Sequence, residues 1–499
     1  MSGERYRFGE QVRRGMLAGL RPGQVLVTAF GAVWAIVAID VSPSASGAAA
    51  ALLGLAAAAI AATVPVAGRT LEQWLPVAIE WAVPGARGRA GSRPSPAGVD
   101  GIVVALPGAN AGDRPRILRP ARPAPPPELR GLRLVGVPYR GRTLGVLAER
   151  GGRRMTLVLV GRAPGFALAD ESEQQHRLSV WGEVLKGATR GAVRRIQWVE
   201  RTAPAQGDGL ARWLHEQRDP AVALEEPVGR SYLELMESSA QATREHEVLL
   251  AVQVDAALLR HDGRGQREQA LIAAGERLAR VLERARVELD AAPTPGGLAR
   301  LLRVAFDPYV RPQLAALRAG GGGDELSVAA AWPSASSSHW SHIRADGALH
   351  ATFEVGGWPR AEVGPAFLGP LLGPSDRVRS VSVVFEPIDP LRSLRQAEYE
   401  ITRDETDRQT RRRFGQLETA RQRHASDAAR LRESELAAGH AEVRLAGFVT
   451  VSGRNHDELE AACGDVVTQA GRANLELRRL YGQQAHAFTF TLPLCRGLQ

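Results

Sequence analysis

The sequence predicts an α+β protein, with an N-terminal two-helix transmembrane hairpin followed by mixed α/β cytoplasmic domains and a long charged helical segment. Three observations support this class: two uncharged apolar runs near the N-terminus, alternating β-type and helical patterns after residue 130, and a charge-rich stretch after Pro390. The chain has 499 residues, of which 44% are apolar and 23% charged, a composition typical of folded proteins with sizeable cores.

The N-terminal hairpin, assigned to residues 1–83 with short basic flanks, is built from two apolar runs. Residues 24–39 are uncharged, Asp40 and a Ser-rich turn follow, and residues 47–68 are again uncharged. Each run approaches the ~20 apolar residues that cross a bilayer. A signal peptide is disfavoured, because more than twenty residues precede the first run. A buried globular hairpin stays as the alternative, because the second run is rich in Ala.

Arginine placement predicts the orientation of this hairpin. The turn between the runs has no Arg or Lys, whereas both flanks are basic, so the positive-inside rule puts both termini in the cytoplasm. We therefore expect a multi-pass protein of the inner (plasma) membrane. Trp74 and Trp81, beyond the second run, are consistent with the membrane interface. The flanking arginines are Arg5, Arg7, Arg13, Arg14, Arg21, Arg69, Arg87, Arg89 and Arg93.

The next two segments are a linker and an α+β cytoplasmic domain. Residues 84–130 are rich in Pro, Gly and Arg and predict a semi-rigid linker, crossed by a short strand from Ile102 to Leu106. Residues 131–318 form the domain, with helices predicted over Glu171–Lys186, Tyr232–Thr243 and Gln266–Leu289. Its predicted strands are Leu132–Val137, Thr143–Ala148, Met155–Val160, Ala192–Val199 and Val248–Val254.

Three further segments complete the chain, and no repeated unit is detectable among them. Residues 319–389 contain a flexible excursion, marked by Gly320–Gly323 and Ser334–Ser338, and two strands. Residues 390–440 predict either one charged helix of roughly 75 Å or a helical hairpin. Residues 441–499 predict a β-α-β unit. The strands and helix of these segments are Leu349–Val355, Val378–Phe385, Val443–Val451, His456–Asn474, Leu475–Leu480 and Phe488–Leu492.

The sequence offers no catalytic motif, and we expect a protein that is not an enzyme and has no cofactor. A P-loop requires Gly-Lys-Ser/Thr, but Lys186 is the only lysine, and it precedes Gly187 within a predicted helix. No metal site is predicted: His339, His342 and His350 are interpreted as solvated loop histidines. The only two cysteines, Cys463 and Cys495, predict ordinary buried thiols and no disulfide scaffold.

The net charge of +9 would favour binding to an anionic partner, either nucleic acid or lipid. The arginines alternate with Glu and Asp along helical stretches, a pattern typical of solvated helix faces, so direct nucleic-acid binding is disfavoured. Anionic membrane lipid remains an expected contact.

Two stretches resemble a known family. Residues 357–372, from Gly-Trp-Pro-Arg to Pro-Leu-Leu, resemble a block in the N-terminal region of TraC-type conjugative (type IV secretion) ATPases. Residues 435–451, 480–484 and 492–494 resemble the end of that region, where a Leu-Pro-rich segment leads into the ATPase domain; this chain stops at Gln499. The N-terminal hairpin resembles the small PrgI-type membrane proteins of conjugation systems.

The resemblance implies a non-catalytic, membrane-anchored structural component of a type IV secretion or conjugation-like apparatus. It implies a separately encoded P-loop ATPase as partner, within a homo- or hetero-oligomer. Two alternatives stay open: a structural membrane subunit of another actinobacterial export system (type VII-like), and a membrane-attached nucleic-acid-binding protein. Trp, Arg and apolar aromatic residues are enriched in interfaces. The candidate partner contacts are Trp358, Pro359, Arg360, Phe448, Tyr481, Phe488 and Phe490.

Overall fold

The protein is described from a computed structural model. The described residues are 22–65, 68–82, 125–162, 166, 169–189, 191–204, 227, 230–231, 244–259, 263–314, 326–373, 375–413 and 420–498. The predicted strand Ile102–Leu106, the predicted helix Tyr232–Thr243 and the Gly320–Gly323 stretch lie outside these residues.

The described elements are both helical and extended, which confirms a mixed α+β fold. The helices are α1 Pro22–Val41, α2 Ala45–Thr63, α3 Leu71–Ala82, α4 Glu171–Ala188, α5 Arg264–Glu283, α6 Pro295–Phe306, α7 Gly369–Leu372, α8 Pro390–Arg413, α9 Ala420–Ala437, α10 His456–Arg472 and α11 Gln484–Phe488. The strands are β1 Arg133–Tyr139, β2 Arg142–Glu149, β3 Arg154–Arg162, β4 Val193–Pro204, β5 Arg244–Asp255, β6 Glu288–Leu289, β7 Ser336–Ser338, β8 Ile343–Ala345, β9 Ala348–Gly357, β10 Val378–Pro387, β11 Val443–Gly453 and β12 Glu476–Arg479.

The two apolar runs form α1 and α2, which pack against each other along their length. Close packing depends on small residues: a Cβ at Gly54 would lie 2.2 Å from the Trp34 ring, so only glycine admits the indole there. The turn between the helices is stabilised by hydrogen bonds between serine hydroxyls, 3.0 Å between Ser42 and Ser44 and 2.7 Å between Ser44 and Ser46. Each helix is long and apolar enough to cross a membrane, and only 11% and 17% of the two apolar windows is buried.

The twelve described strands form one antiparallel sheet in the order β1-β2-β3-β5-β4-β10-β11-β9-β8-β7, with β6 beside β3 and β12 beside β9. Strands from three of the predicted segments therefore share one sheet. The predicted strands at 132–137, 143–148, 155–160, 192–199, 248–254, 349–355, 378–385 and 443–451 are confirmed to within a few residues.

One predicted boundary and two predicted element types are wrong. The helix predicted to reach Leu289 ends at Glu283, because Arg286 adopts a φ of 55° and the Val287 N–H turns back to the Leu282 carbonyl at 3.1 Å. Ser336–Ser338, predicted as part of a flexible excursion, is strand β7. The predicted strand Phe488–Leu492 is instead the end of α11 and a series of turns.

Turn hydrogen bonds explain the last of these corrections: the N–H groups of Thr489, Phe490 and Thr491 each donate to the carbonyl three residues back, at 3.1, 2.9 and 3.2 Å. A buried glutamine just before this segment is bonded to β9. The Gln484 amide nitrogen donates to the Thr352 carbonyl at 3.2 Å and the Leu480 carbonyl at 2.9 Å. Its carbonyl oxygen accepts from the Thr352 N–H at 2.8 Å. The side chain thus occupies β9 backbone groups that an additional strand would need.

The charged segment after Pro390 is a helical hairpin, so the single long helix is wrong. Helices α8 and α9 contact each other. The chain enters and leaves this helical hairpin at adjacent points. There the Ile388 N–H donates to the Glu442 carbonyl at 3.0 Å, and Arg432 pairs with Glu442.

The sheet contains an internal pseudo-two-fold repeat. One half follows the order β1-β2-β3-α4-β4-β5-α5-β6-α6. The other follows β7-β8-β9-α7-β10-β11-α10-β12-α11, with α8 and α9 inserted between β10 and β11. In each half the short strand returns to the third strand: β6 pairs with β3 and β12 with β9. The halves meet at the antiparallel pair β4–β10 in the middle of the sheet, where Val199 faces Ser382.

In the equivalent helices α5 and α10, buried residues recur at the same intervals along the sequence. Both α5 and α10 cover the same face of the sheet, whereas α6 and α11 cover the other. The structure therefore shows a repeat that the sequence analysis did not detect. The two halves share strand-pairing order and buried positions, not residue identity. The matching buried positions are Leu271, Ala274, Leu278 and Leu282 in α5, and Leu459, Ala462, Val466 and Ala470 in α10.

Candidate membrane anchor and docking surface

The outer surface of the α1–α2 hairpin is apolar and exposed. Phe30 is 74% exposed, Leu26 71% and Leu53 71%, although each is a large apolar side chain. Extended apolar surfaces of this kind mark contact with lipid or with another protein. Further exposed members of the surface are Val33, Ile36, Ile39, Val41, Leu52 and Ile60.

Helix α3 begins at the end of the hairpin where the chain enters and leaves it. The Gln24 amide donates to the Ala62 carbonyl at 2.8 Å, which joins the start of α1 to the end of α2. A Cβ at Gly23 would lie 3.3 Å from the Glu72 side chain, so the first turn of α3 lies against the first turn of α1. All three helices therefore meet at one end of the hairpin.

An aromatic junction of Trp74, Trp81, Trp340 and Tyr481 joins α3 to the edge of the sheet. The Trp74 and Trp340 rings stack with centroids 5.8 Å apart, and Trp81 meets Trp340 edge-on at 5.6 Å. Tyr481 lies 6.4 Å from Trp74. Gly482, with a φ of 72°, lies beneath Trp340, where a Cβ would be 2.8 Å from the ring. Both rings therefore contact the protein, and the expectation that Trp74 and Trp81 lie at the depth of the membrane interface stays a prediction.

Polar contacts support the same junction. Arg69 is only 8% exposed; its guanidinium lies 5.4 Å from the Trp74 ring centroid and donates to the Gln483 Oε1 at 3.1 Å. Burial, followed by the nearby Arg478 charge, lowers the pKa of Arg69. Arg478 pairs with Glu354 on β9 and donates to the Gly68 carbonyl at 3.4 Å. The segment between α2 and α3 is therefore held to β9 and β12.

The predicted contact residues separate into buried and exposed groups. Phe448, Phe488 and Phe490 are 2%, 3% and 9% exposed, so they belong to the core and form no docking surface. Phe448 packs on Phe490 with centroids 4.7 Å apart, and Phe488 packs on Phe306 at 5.4 Å. Tyr481 is already engaged in the aromatic junction. The expectation of an interface is thus corrected for these phenylalanines.

The Trp358-Pro359-Arg360 block remains a candidate for partner contact, because one of its residues is exposed. It follows β9 directly: Pro359 is buried, Trp358 is half-buried beside Gly447, and Arg360 is exposed. The Pro-Leu-Leu part of the same stretch forms α7, whose Leu371 is buried in the cluster that includes α10. Trp358 and Leu371 therefore pack in the same cluster, and Arg360 is the exposed residue of the Trp-Pro-Arg block.

The three candidate histidines do not share one environment. His350 is fully buried in β9, where its ring nitrogens lie 2.8 Å from the Ser452 hydroxyl and 2.8 Å from the Phe306 carbonyl. Its interpretation as a solvated histidine is therefore wrong, and burial lowers its pKa to about 4. His339 and His342 stack at 4.5 Å. Among the described residues, no group of three or more His, Cys, Asp or Glu has the arrangement of a metal site.

Both cysteines are free and buried, as predicted. Burial raises the pKa of Cys463 to about 11 and raises the pKa of Cys495 further, so neither thiol is poised for reaction at neutral pH. Sequence reasoning placed Arg69 only in the basic flank of the hairpin and missed Trp340, although both belong to this junction. Only the two tryptophans near the second apolar run hinted at this junction.

Comparison with known proteins adds no family. No family model matches the chain, and no curated protein matches it significantly.

Proposed function

We propose that this protein is a non-catalytic, membrane-anchored structural component of a type IV secretion or conjugation-like apparatus. The α1–α2 hairpin spans the inner membrane with both termini in the cytoplasm, and the sheet lies on the cytoplasmic side. The sheet and the helices packed on it bind a separately encoded P-loop ATPase.

One observation carries the anchoring part of the proposal. Two adjacent helices of 20 and 19 residues expose apolar side chains along their length and join through a turn of serines. A soluble fold loses free energy by leaving such a surface in water, at roughly 25 cal/mol per Å² of apolar area. Lipid removes this cost without a protein partner, and the helix length suits a bilayer.

The docking part rests on the resemblance and on the accessibility of the resembling block. Arg360 is exposed and follows half-buried Trp358, and these residue types are enriched in interface hot spots. The block directly follows β9, whose Glu354 pairs with Arg478 beside the Gly68 link to the hairpin. A motor bound at this block would be held near the membrane.

Membrane extraction tests the anchor. Full-length protein is expected to stay with the membrane fraction after carbonate and high-salt washes, whereas a variant lacking residues 1–65 is expected to be released. Equal release of both proteins, or equal retention, would show that the hairpin is not the anchor.

Charge reversal tests the docking block. Arg360→Glu and Trp358→Ala are expected to reduce recovery of the P-loop ATPase encoded beside this gene in a pull-down. Arg142→Glu is the matched control, because Arg142 is also exposed but lies on β2 in the other half of the sheet. Truncation at His440 is unsuitable, since it removes β11 from the interior of the sheet. Equal recovery with all variants would remove the block from the interface.

A further inference from the structure

Helix α3 has a second face, opposite the aromatic junction. Its inward face carries Trp74 and Trp81 together with Val77, which is 4% exposed. Its outward face carries three large aliphatic residues spaced four apart, which form one stripe along the helix. The stripe consists of Leu71, Leu75 and Ile79, exposed by 57%, 60% and 53%.

The stripe itself is apolar, and the charged residues of α3 are Glu72, which is half-buried, and Glu80. Pro76 and Ala78 are exposed beside the stripe, and the sequence of α3 contains no Lys or Arg. A basic helix would attract anionic headgroups through charge, whereas a face of this composition gains from the removal of apolar area from water. Contact with this face is therefore expected to be insensitive to salt.

The place of α3 in the chain indicates what covers the stripe. It follows α2 after a short link and lies against the end of the hairpin where α1 begins and α2 ends. In a spanning hairpin this end is the cytoplasmic boundary of the bilayer. With 12 residues α3 is about 18 Å long, too short to cross a membrane but suited to lie in its plane.

We propose that α3 is an interfacial helix whose Leu71-Leu75-Ile79 stripe inserts into the headgroup and acyl-chain boundary of the cytoplasmic leaflet. The inference rests on the proposed membrane anchor and deepens it. The opposite face of α3 packs on Trp340 at the edge of the sheet. Contact between the stripe and lipid therefore holds this sheet edge beside the membrane. The sheet and its helices then have a defined orientation relative to the membrane, because they are attached through α3 as well as through the hairpin.

Depth measurements on spin-labelled full-length protein test this arrangement. Single cysteines replace Leu75 or Ile79, and the protein is reconstituted in phosphatidylcholine vesicles. Phe30→Cys on α1 is the acyl-chain reference, and Asp457→Cys, at an exposed position of α10, is the aqueous reference. The native thiols do not interfere, because both are buried.

The labels at Leu75 and Ile79 are expected about 5–10 Å below the headgroup boundary, accessible to oxygen and shielded from an aqueous nickel chelate. The depth is expected to be the same in 0.1 M and 1 M salt and with added phosphatidylglycerol. Ile79→Glu is expected to move a Leu75 label toward the aqueous value. Gln73→Glu, which places the same charge on the flank of α3, is expected to leave it in the bilayer.

The outcomes separate this inference from the proposed function. A Leu75 label that resembles the Asp457 label, while the Phe30 label stays in the bilayer, overturns the interfacial helix and leaves the anchor intact. A Leu75 label shielded from both oxygen and nickel indicates a protein partner and also overturns it. A depth that changes with salt overturns the apolar mechanism. A Phe30 label in water overturns the anchor itself. Unreactive native cysteines verify that each variant is folded.

Discussion

The Gln197 side chain on β4 holds the last residues of the described chain through Cys495. The Cys495 N–H donates to the Gln197 Oε1 at 2.6 Å. The Gln197 amide nitrogen donates to the Phe490 and Leu492 carbonyls, each at 2.9 Å, and lies 2.8 Å from the Ser382 hydroxyl. One fully buried amide therefore satisfies backbone groups of a segment about 300 residues away in sequence.

Replacement of Gln197 is expected to destabilise the whole fold. Gln197→Met keeps the length of the side chain but leaves the Cys495 N–H without its acceptor, whereas the Phe490 and Leu492 carbonyls keep the Ser382 hydroxyl and the Leu494 N–H as donors. Since an unsatisfied buried group costs ~1–3 kcal/mol, we expect a loss of that size in the free energy of unfolding. Chemical denaturation in detergent micelles measures it.

Gln253→Met is the matched control for this prediction. Gln253 lies on the neighbouring strand β5, is 2% exposed and donates more weakly, at 3.2 Å to Thr156 and 3.3 Å to the Leu494 carbonyl. We expect a smaller loss. Equal losses for both variants would contradict a special role of Gln197.

Removal of the Trp340 ring is expected to open the junction between hairpin and sheet. Trp340→Ala removes the partner of Trp74 and Trp81, and aromatic pairs contribute about 0.5–1.5 kcal/mol each beyond the buried area. Opening exposes Arg69, so tryptic cleavage after Arg69 should accelerate about tenfold, since a factor of ten corresponds to about 1.4 kcal/mol.

The control for this cleavage is Trp181→Ala. Trp181 packs edge-on against Phe385 at 5.3 Å in the body of the protein, so its loss is comparable in size but remote from α3. Mass spectrometry of the fragments identifies the cut. Acceleration in both variants would indicate general destabilisation instead of a local opening.

His350 is expected to make stability fall at acidic pH. Its pKa of about 4 lies below the unfolded value of 6.5, because burial disfavours the charged ring. The unfolded state therefore binds the proton first, and the contribution is complete above pH 6.5 and lost as the pH falls to about 4. The shift corresponds to about 3 kcal/mol.

Unfolding of wild-type protein and His350→Gln at several pH values measures this effect. The stability difference between them should shrink as the pH falls through this window. The exposed His440 supplies the control, and His440→Gln is expected to follow the wild-type profile. A wild-type advantage over His350→Gln that does not change with pH would contradict the prediction.

The turn between α1 and α2 is expected to face the outside of the inner membrane. A cysteine at Ser44, an exposed residue of this turn, should react with an impermeant thiol reagent applied from outside. A cysteine at exposed Asp457 should react only after the membrane is permeabilised. The reverse pattern would overturn the orientation.

Purified protein is expected to hydrolyse ATP no faster than a boiled sample. Lys186, the only lysine, is exposed in the last turn of α4 and is not part of a P-loop sequence. Lys186→Ala is accordingly expected to change nothing. Hydrolysis that survives purification and is abolished by Lys186→Ala would refute the non-catalytic assignment.

The sequence alone predicted the elements whose signal is local. The uncharged runs at 24–39 and 47–68 correspond to α1 and α2, and the alternating strands around Val248 and Val378 were placed within a few residues. Hydrophobic periodicity and the absence of charge depend only on neighbouring residues, so they are readable without the fold. The missing P-loop is likewise a local fact.

The tertiary structure alone decided the relationships between distant residues. The pseudo-two-fold order of the sheet is invisible in the sequence, because its halves share burial spacing while α4 has 18 residues and its counterpart α7 has 4. Phe448 and Arg360 looked alike as interface candidates until the fold buried one and exposed the other. Strand order and burial are set by contacts across hundreds of residues, and a local pattern contains no record of which partner each residue meets.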